Sequence, residues 1–434
     1  MPKTKLTLAR FAGTVRGMMA TRPIGAGEAL VCVPDRLLVT ASKVRQAVLA
    51  RAGAGAAWRL SEHQALAYWL CAESAAAPGV SAWSRYVETI PGDFESVPLC
   101  ALSGASPSDA PSAATPAAQW IAAHLPPSVE RRVAEQQARL FGDWAHTRAA
   151  LAAIGVAPPA DWRRYVWAWL AVNTRCIHLG RAPAGHDTMA LAPVLDMLNH
   201  STSASVSTHF DAARRQFVIR THRAYRKGEE VFISYGPHDN GFLLAEYGFV
   251  AASNPRLVLD LSCEVEACAA AARRGPPPCP RAHRRRPRAA GDAAAANAAA
   301  ADALVALLRR HGLWGEFALT PDDAEPPYRV QAALRLLLAA QRLSGPELRD
   351  AVARWERWRC GEPVDSDDDD DCADVTQWIQ RACARIAARA QQMALDAQDP
   401  PAPVGRFLAR CLGAVWLEIS QIALRWRVAE DPGQ

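Results

Sequence analysis

The stretch "LAPVLDMLNHS", residues 191–201, decides how this chain folds. An apolar run carries Asp196 and then ends on three adjacent polar side chains, Asn199, His200 and Ser201. About thirty residues later "EEVFISYGPHDN" repeats the device, its apolar run closing on a lone Tyr235. Alternation of apolar and polar residues marks "QFVIRTHRA" and "EEVFISYG" as strands flanking "YRKGE", with Gly228 as the turn residue. Alone, an Asn-His pair at a strand end commonly caps a turn. A strand-final Tyr commonly packs its ring while its hydroxyl finds a hydrogen bond. The ordered series carries more: "VRGMMATRPIGAGE", "VNTRC", "LAPVLDMLNHS", "EEVFISYGPHDN" and "LLAEYGFV" follow one another along the chain.

Outward from these stretches the texture changes. Residues 14–40 alternate and turn like strands; Gly25 and Gly27 supply the positive-φ positions of a tight reversal, and Pro34 ends the second run. From about 43 to 172 the pattern is helical. Ser61 stands in an N-cap position, and Leu66, Trp69 and Leu70 share one face. "PSVERRVAEQQARLFGDW" and "DWRRYVWAWLAVNTR" read alike, separated from the first helix by the loop composition of residues 104–118. "NGFLLAEYGFV" predicts a short helix stopped by Gly248. Residues 269–300 are Ala, Arg and Pro without periodicity, which predicts a disordered linker. Beyond 301 the chain is helical again. Val375, Trp378, Ile379, Ala382, Cys383 and Ile386 form one core stripe, and Phe407, Leu408, Cys411, Leu412, Val415, Ile419 and Ile422 a second. The acidic run at 365–371 reads as a solvated loop.

A length of 434 residues implies two or three domains, and half the residues are apolar. The net charge of +5 permits an acidic partner without demanding one. The basic run "HRRRPR" (283–288) lacks interleaved aromatics. It reads as a linker or nuclear-import signal rather than a nucleic-acid surface. Eleven cysteines include no C-x-x-C pair, and Cys263, Cys268 and Cys279 lack zinc-finger spacing. They read as reduced thiols of a cytoplasmic or nuclear protein with no metal site. "MPKTKLTLAR" has no apolar leader, and no run reaches the roughly 18 apolar residues of a membrane span, so no membrane partner is expected. No glycine-rich phosphate loop follows a strand, and neither G-x-S-x-G nor H-E-x-x-H occurs.

The ordered series resembles the SET-domain methyltransferases of the Rubisco large-subunit methyltransferase type. Within them it is most similar to the SET domain-containing protein four group, through "WAWLAVNTRC", "DMLNHS", "YGPHDN" and "LLAEYGFV". "WSRYVETIPGDFESVPL" (83–99) also resembles the start of that family's helical insert. The resemblance covers roughly residues 10–258; the helical tail is similar in character and placement only. It implies an α+β fold, a β-rich SET domain closed by a pseudoknot in which the segment after "NHS" passes under the one carrying "SYG". The implied divisions are 10–44 and 165–258 for the SET domain, 45–164 for a helical insert, 269–300 for the linker, and 301–430 for an all-helical, substrate-binding-like domain.

The resemblance also implies S-adenosyl-L-methionine as cofactor and a lysine-presenting histone or non-histone protein as substrate, handled by a monomeric protein-lysine N-methyltransferase. A protein-histidine methyltransferase and a catalytically weak SET-fold peptide-binding module remain open alternatives. Carried over position by position, the cofactor lies against Thr14, Arg16 and Gly17, with Arg175, Asp196, Asn199, His200 and Phe249 around it. Tyr247 and Cys176 line the target channel, and Tyr235 is catalytic and also meets the cofactor. Many relatives have Gly-x-Gly at the first motif, often preceded by Glu. Thr14 and Val15 stand in those places here, which removes one carboxylate contact.

These residue types suit methyl transfer. An amine lone pair attacks a sulfonium methyl in line, charge passes from sulfur to nitrogen, and alignment is the main requirement. The amine must first be neutral. For a lysine of pKa near 10.4, that costs about 4.6 kcal/mol at pH 7 in water, and a desolvating aromatic channel lowers the cost.

Overall fold

The computed structural model describes residues 4–52, 56–77, 79–104, 114–179, 187–276, 290–362, 367–402 and 404–427. The chain divides into two compact units, residues 1–256 with 400–412 and residues 257–399 with 413–434.

The first unit holds β1 (Leu6–Ala9), β2 (Gly17–Ala20), β3 (Ala29–Pro34), β4 (Val39–Thr40), β5 (Ile177–His178), β6 (Met189–Leu191), β7 (Asn199–His200), β8 (Val206–Asp211), β9 (Gln216–Thr221) and β10 (Glu230–Ile233). They form three small sheets, ordered β1-β2-β10-β7, β3-β9-β8 and β4-β6-β5. β7 and β10 pair in parallel, Phe232 opposite Asn199 and Ile233 opposite His200. Parallel neighbours need a long crossover. Here the residues between them form the β8–β9 hairpin.

The two expected reversals are not hairpins. β3 pairs with β9 and β2 with β10, so each run exchanges partners with the other. The two corners stand side by side through an Ile24–Tyr225 bridge. The Gly27 N–H donates to the Thr221 carbonyl at 2.7 Å and the Gly228 N–H to that of Ala20 at 2.8 Å. Gly27 and Gly228 take φ of 81° and 91°, while Gly25, expected to do the same, does not; its N–H is held by Glu28 Oε2 at 3.0 Å. The exchange has a packing reason. Met18, Val231, Val33, Phe217 and Ile219 all join one buried cluster with Leu195 and Leu198.

Between β4 and β5 run α1 (Ala41–Leu49), α2 (Glu62–Ala75), α3 (Ser84–Val87), α4 (Pro98–Leu102), α5 (Pro116–His124), α6 (Pro127–Ala152) and α7 (Trp162–Arg175). Ser61 caps α2 as expected, in a reciprocal box with Gln64. Leu66, Leu70, Leu140, Tyr165 and Trp169 are buried in this insert. Thr40 at its start and Ile177 at its end both sit opposite Ala190 of β6. After β10 comes α8 (Asn240–Tyr247).

In the second unit β11 (Leu259–Asp260) pairs with β12 (Ala318–Leu319). Around them are α9 (Ser262–Ala272), α10 (Ala290–Arg310), α11 (Tyr328–Arg342), α12 (Gly345–Arg359) and α13 (Asp367–Asp396). α14 (Arg406–Arg427) joins this unit from Gly413 on. The expected linker is corrected on both sides. α9 covers 262–272 and α10 begins at 290, because alanine has the highest helix propensity and Ala301, Leu304 and Leu308 give α10 a buried stripe. Residues 277–289, with Cys279 and "HRRRPR", lie outside the described residues. Residues 365–366 of the acidic run lie outside the described residues, and 367–371 open α13 instead of looping. The two core stripes are buried or half-buried except at Phe407, which is 45% exposed. α14 has the length and mean hydropathy (1.4) of a membrane span, with 61% of that window buried within the protein.

Candidate active site

The β7–β10 pairing brings the two polar run-ends together. The Tyr235 backbone N–H donates to His200 Nδ1 at 3.0 Å, and the Tyr235 hydroxyl donates to the Leu198 carbonyl at 2.9 Å. A backbone N–H only donates, so Nδ1 is an acceptor and the neutral ring carries its proton on Nε2. Burial, with a smaller contribution from His238, holds His200 below its ordinary value and keeps it neutral. Nε2 is buried without a hydrogen-bond partner among the described residues. The Tyr235 ring centre lies 5.3 Å from that of His200, 4.9 Å from Tyr247 and 6.2 Å from Phe249. Burial pushes both phenols up, so both stay protonated at neutral pH.

Tyr247 and Phe249 are set by the ends of α8. Asp239 accepts the Phe242 N–H at 2.9 Å as N-cap. The expected stop at Gly248 is present, in the left-handed conformation with φ of 77°. A Cβ there would meet Ser96 Oγ at 2.6 Å and the Ser96 carbonyl carbon at 2.8 Å. One residue before Tyr247, the buried Glu246 carboxylate accepts from Gln136 Nε2 at 2.6 Å and Asn173 Nδ2 at 2.9 Å. Arg132 stands 3.6 Å from its other oxygen. Asn240 clasps the chain beyond Phe249: its Nδ2 donates to the Ala251 carbonyl, and its Oδ1 accepts the Ala251 N–H.

The first motif meets the same corner from β2. Asn199 Nδ2 donates to the Arg16 carbonyl at 2.7 Å and to Glu230 Oε1 at 2.8 Å. The Thr14 hydroxyl donates to the same carboxylate, 2.7 Å from Oε2. A Cβ on Gly17 would collide with Glu230 and approach Asn199 Nδ2 to 2.9 Å, so only glycine lets these two side chains close over the backbone. Val15 takes φ of 61°, and the Arg16 N–H donates across it to the Thr14 carbonyl at 2.6 Å. That is a positive-φ γ-turn, a strained conformation for a β-branched residue.

Arg175 ends α7 and donates through Nη1 to the Asp196 carbonyl at 2.8 Å, with the Asp196 carboxylate 3.5 Å away. The Tyr86 hydroxyl donates to Asp196 Oδ2 at 2.8 Å. Burial raises the Asp196 carboxyl while Arg175 works in the opposite direction. Burial, then the charge of Arg175, lowers the Arg16 guanidinium. Cys176 follows as the C-cap of α7, and burial pushes its thiol up, which keeps it from acting as a thiolate nucleophile.

Three groupings therefore emerge. Asn199, His200, Tyr235, Tyr247 and Phe249 cluster; Thr14, Arg16 and Gly17 reach the cluster through Asn199; Arg175 and Asp196 form a buried pair. Sequence reasoning missed Glu230, Glu246, Asn240 and Tyr86 as supports. Glu230 had one available signal, an acid placed inside the strand period of "EEVFIS" and not in the turn before it. Neutral imidazole and protonated phenols equip the corner for a transfer needing orientation and desolvation more than proton shuttling. Among the described residues no group of three or more His, Cys, Asp or Glu is placed to hold a metal ion.

A family model described as the SET domain matches residues 15–236. The SET domain-containing protein 4 of Mus musculus is 29% identical over 388 residues, 87% of this chain and 76% of the relative. The Homo sapiens protein of the same name is 33% identical over 276 residues, and the match spans 60% of this chain and 58% of that relative. A solved SET domain of LSMT bound to lysine and AdoHcy superposes with a TM-score of 0.59. Its sequence identity is 12%, covering 98% of this chain and 86% of that one, a likeness of fold.

Proposed function

Because the chain belongs to the SET-domain family, we propose that it is an S-adenosyl-L-methionine-dependent protein-lysine N-methyltransferase acting on histone or non-histone proteins. The observation that carries this reading is the lock between the run-ends: Tyr235 is fixed by its N–H to His200 and by its hydroxyl to Leu198. Tyr247 and Phe249 close around it. The cofactor suits the corner, since the proton on the buried His200 Nε2 is unused. When bound, it supplies the electrophilic methyl group. Thr14, Arg16, Gly17, Asn199 and His200 hold it, Arg175 and Asp196 shape the floor, and Cys176 packs beside them.

Tyr235 and Tyr247 act on the substrate amine. Their rings displace water, which disfavours the ammonium and offsets part of the roughly 4.6 kcal/mol needed to present a lone pair. The protonated Tyr235 hydroxyl orients the reacting atoms. The second unit docks the protein substrate, and the protein works as a monomer in the cytoplasm or nucleus.

The test is transfer of a labelled methyl group to fractionated host proteins, followed by mass spectrometry of the modified residue. Tyr235→Phe should lower transfer by about 10²–10³-fold, the cost of losing one positioned polar contact at a reaction centre, with cofactor affinity held within about twofold. Undiminished transfer by that variant, or label found on histidine, refutes the reading.

A further inference from the structure

The Glu230 carboxylate is the least expected group in the corner. It is half-buried, and it is held by two uncharged donors, the Thr14 hydroxyl and the Asn199 amide. Among the described residues no cation pairs with it. Each donor contributes one hydrogen, and a carboxylate has about four acceptor sites, so about two remain open. Neutral donors fix its position without neutralising its charge, and a half-buried, preorganised carboxylate gains most from a cationic partner. Its oxygen lies where a side chain on Gly17 would be. Arg16 precedes Gly17 in the chain, and the charges that act on its guanidinium are those of Arg175 and Asp196. An unneutralised carboxylate thus stands against one side-chain-free residue, an arrangement matched to the ammonium of an α-amino acid.

Resting on the cofactor reading above, we propose that Glu230 receives the α-ammonium of the methyl donor's amino-acid end. The carboxylate that Thr14 removes from the first motif is thereby supplied from β10, and Thr14 now anchors it. Glu230 is in this role a specificity-determining residue: it selects ligands that carry the amino acid over nucleosides that lack it.

The test compares three ligands by calorimetry on the full chain. S-adenosylmethionine carries the ammonium and the sulfonium, S-adenosylhomocysteine the ammonium alone, and 5′-methylthioadenosine neither. Glu230→Gln keeps shape and removes charge. It should weaken the first two by about tenfold or more, the scale of one charged hydrogen bond, and methylthioadenosine by less than about twofold. Equal weakening of all three would make Glu230 a structural prop, and weakening of S-adenosylmethionine alone would move its partner to the sulfonium; either overturns the assignment. If Glu230→Gln fails to fold, the desamino analogue of S-adenosylhomocysteine tests the wild type. It should bind about tenfold more weakly than its parent, and parity overturns the assignment. A wild-type protein that binds none of the ligands defeats the cofactor reading itself, a result distinct from any of these.

Discussion

Glu246→Ala removes the group on which two amides, one buried and one half-buried, converge. Gln136, fully buried, and Asn173 each lose the carboxylate acceptor they reach at 2.6 and 2.9 Å. Both keep a longer, 3.3 Å contact to a backbone carbonyl, so the loss is partial. Stranding a buried donor costs about 1–3 kcal/mol, which puts the pair at roughly 2–6 kcal/mol and its weakened remainder in the lower half. The Arg132 ion pair adds little, because that side chain is 36% exposed and solvent screens it. At about 2–4 °C per kcal/mol for a unit of this size, the melting temperature should fall by about 10 °C. Near-ultraviolet circular dichroism on heating reads the loss directly, since aromatic residues flank the network. The second readout is coupling. In a Gln136→Leu background the same substitution should cost about 1–3 kcal/mol less, because one of its stranded donors is gone. A melting shift below about 2 °C, or strictly additive costs, would refute the idea that Glu246 fastens α8 and with it Tyr247.

Gly248→Ala should destabilise by at least about 2 kcal/mol, because the left-handed backbone costs about 1–2 kcal/mol and the Ser96 backbone must also move. Gly27→Ala, with a similar φ and open space around its Cβ, is the control and should lose only the backbone part; equal urea midpoints for the two variants would refute the clash. Burial holds His63 down to about 4, against the pull of the nearby Asp143. Its neutral form is therefore the folded one, so the stability it contributes is whole above about pH 6.5 and is lost as the pH falls toward 4. His63→Gln should flatten the decline in melting temperature across that window, and an unchanged slope would rule the group out.

Much of the site was legible because its residues end runs. Tyr235 stands two residues past the end of β10 and Asn199–His200 form β7, and alternation alone marks such ends. Gly248 was legible for a similar reason, a helix pattern that stops on the residue best suited to a left-handed cap. Partner choice was not legible. "GAGE" and "YRKGE" look like hairpin turns locally, yet β2 prefers β10 and β3 prefers β9, because only that exchange sends both apolar faces into one core. The supports were hidden for a different reason. Glu246 and Asn240 are polar residues whose burial depends on donors 73–110 and 11 positions away, and nothing in local spacing reveals such partners. The alanine-rich stretch misled because low complexity and high helix propensity coincide in it.

Thr40 and Ile177 flank a single residue of β6, so the whole α1–α7 excursion leaves and rejoins the sheet across two strand spacings, about 10 Å. A segment anchored this way is free to lengthen, shorten or be exchanged between relatives without shifting the strands it departs from. Evolution can remodel it as a cassette. The freedom has boundaries: Tyr86 and Arg175 reach back from the cassette to Asp196, and Gln136 and Asn173 to Glu246. Any graft that keeps the strands but omits those side chains would preserve the architecture and strip the support from beneath the candidate site.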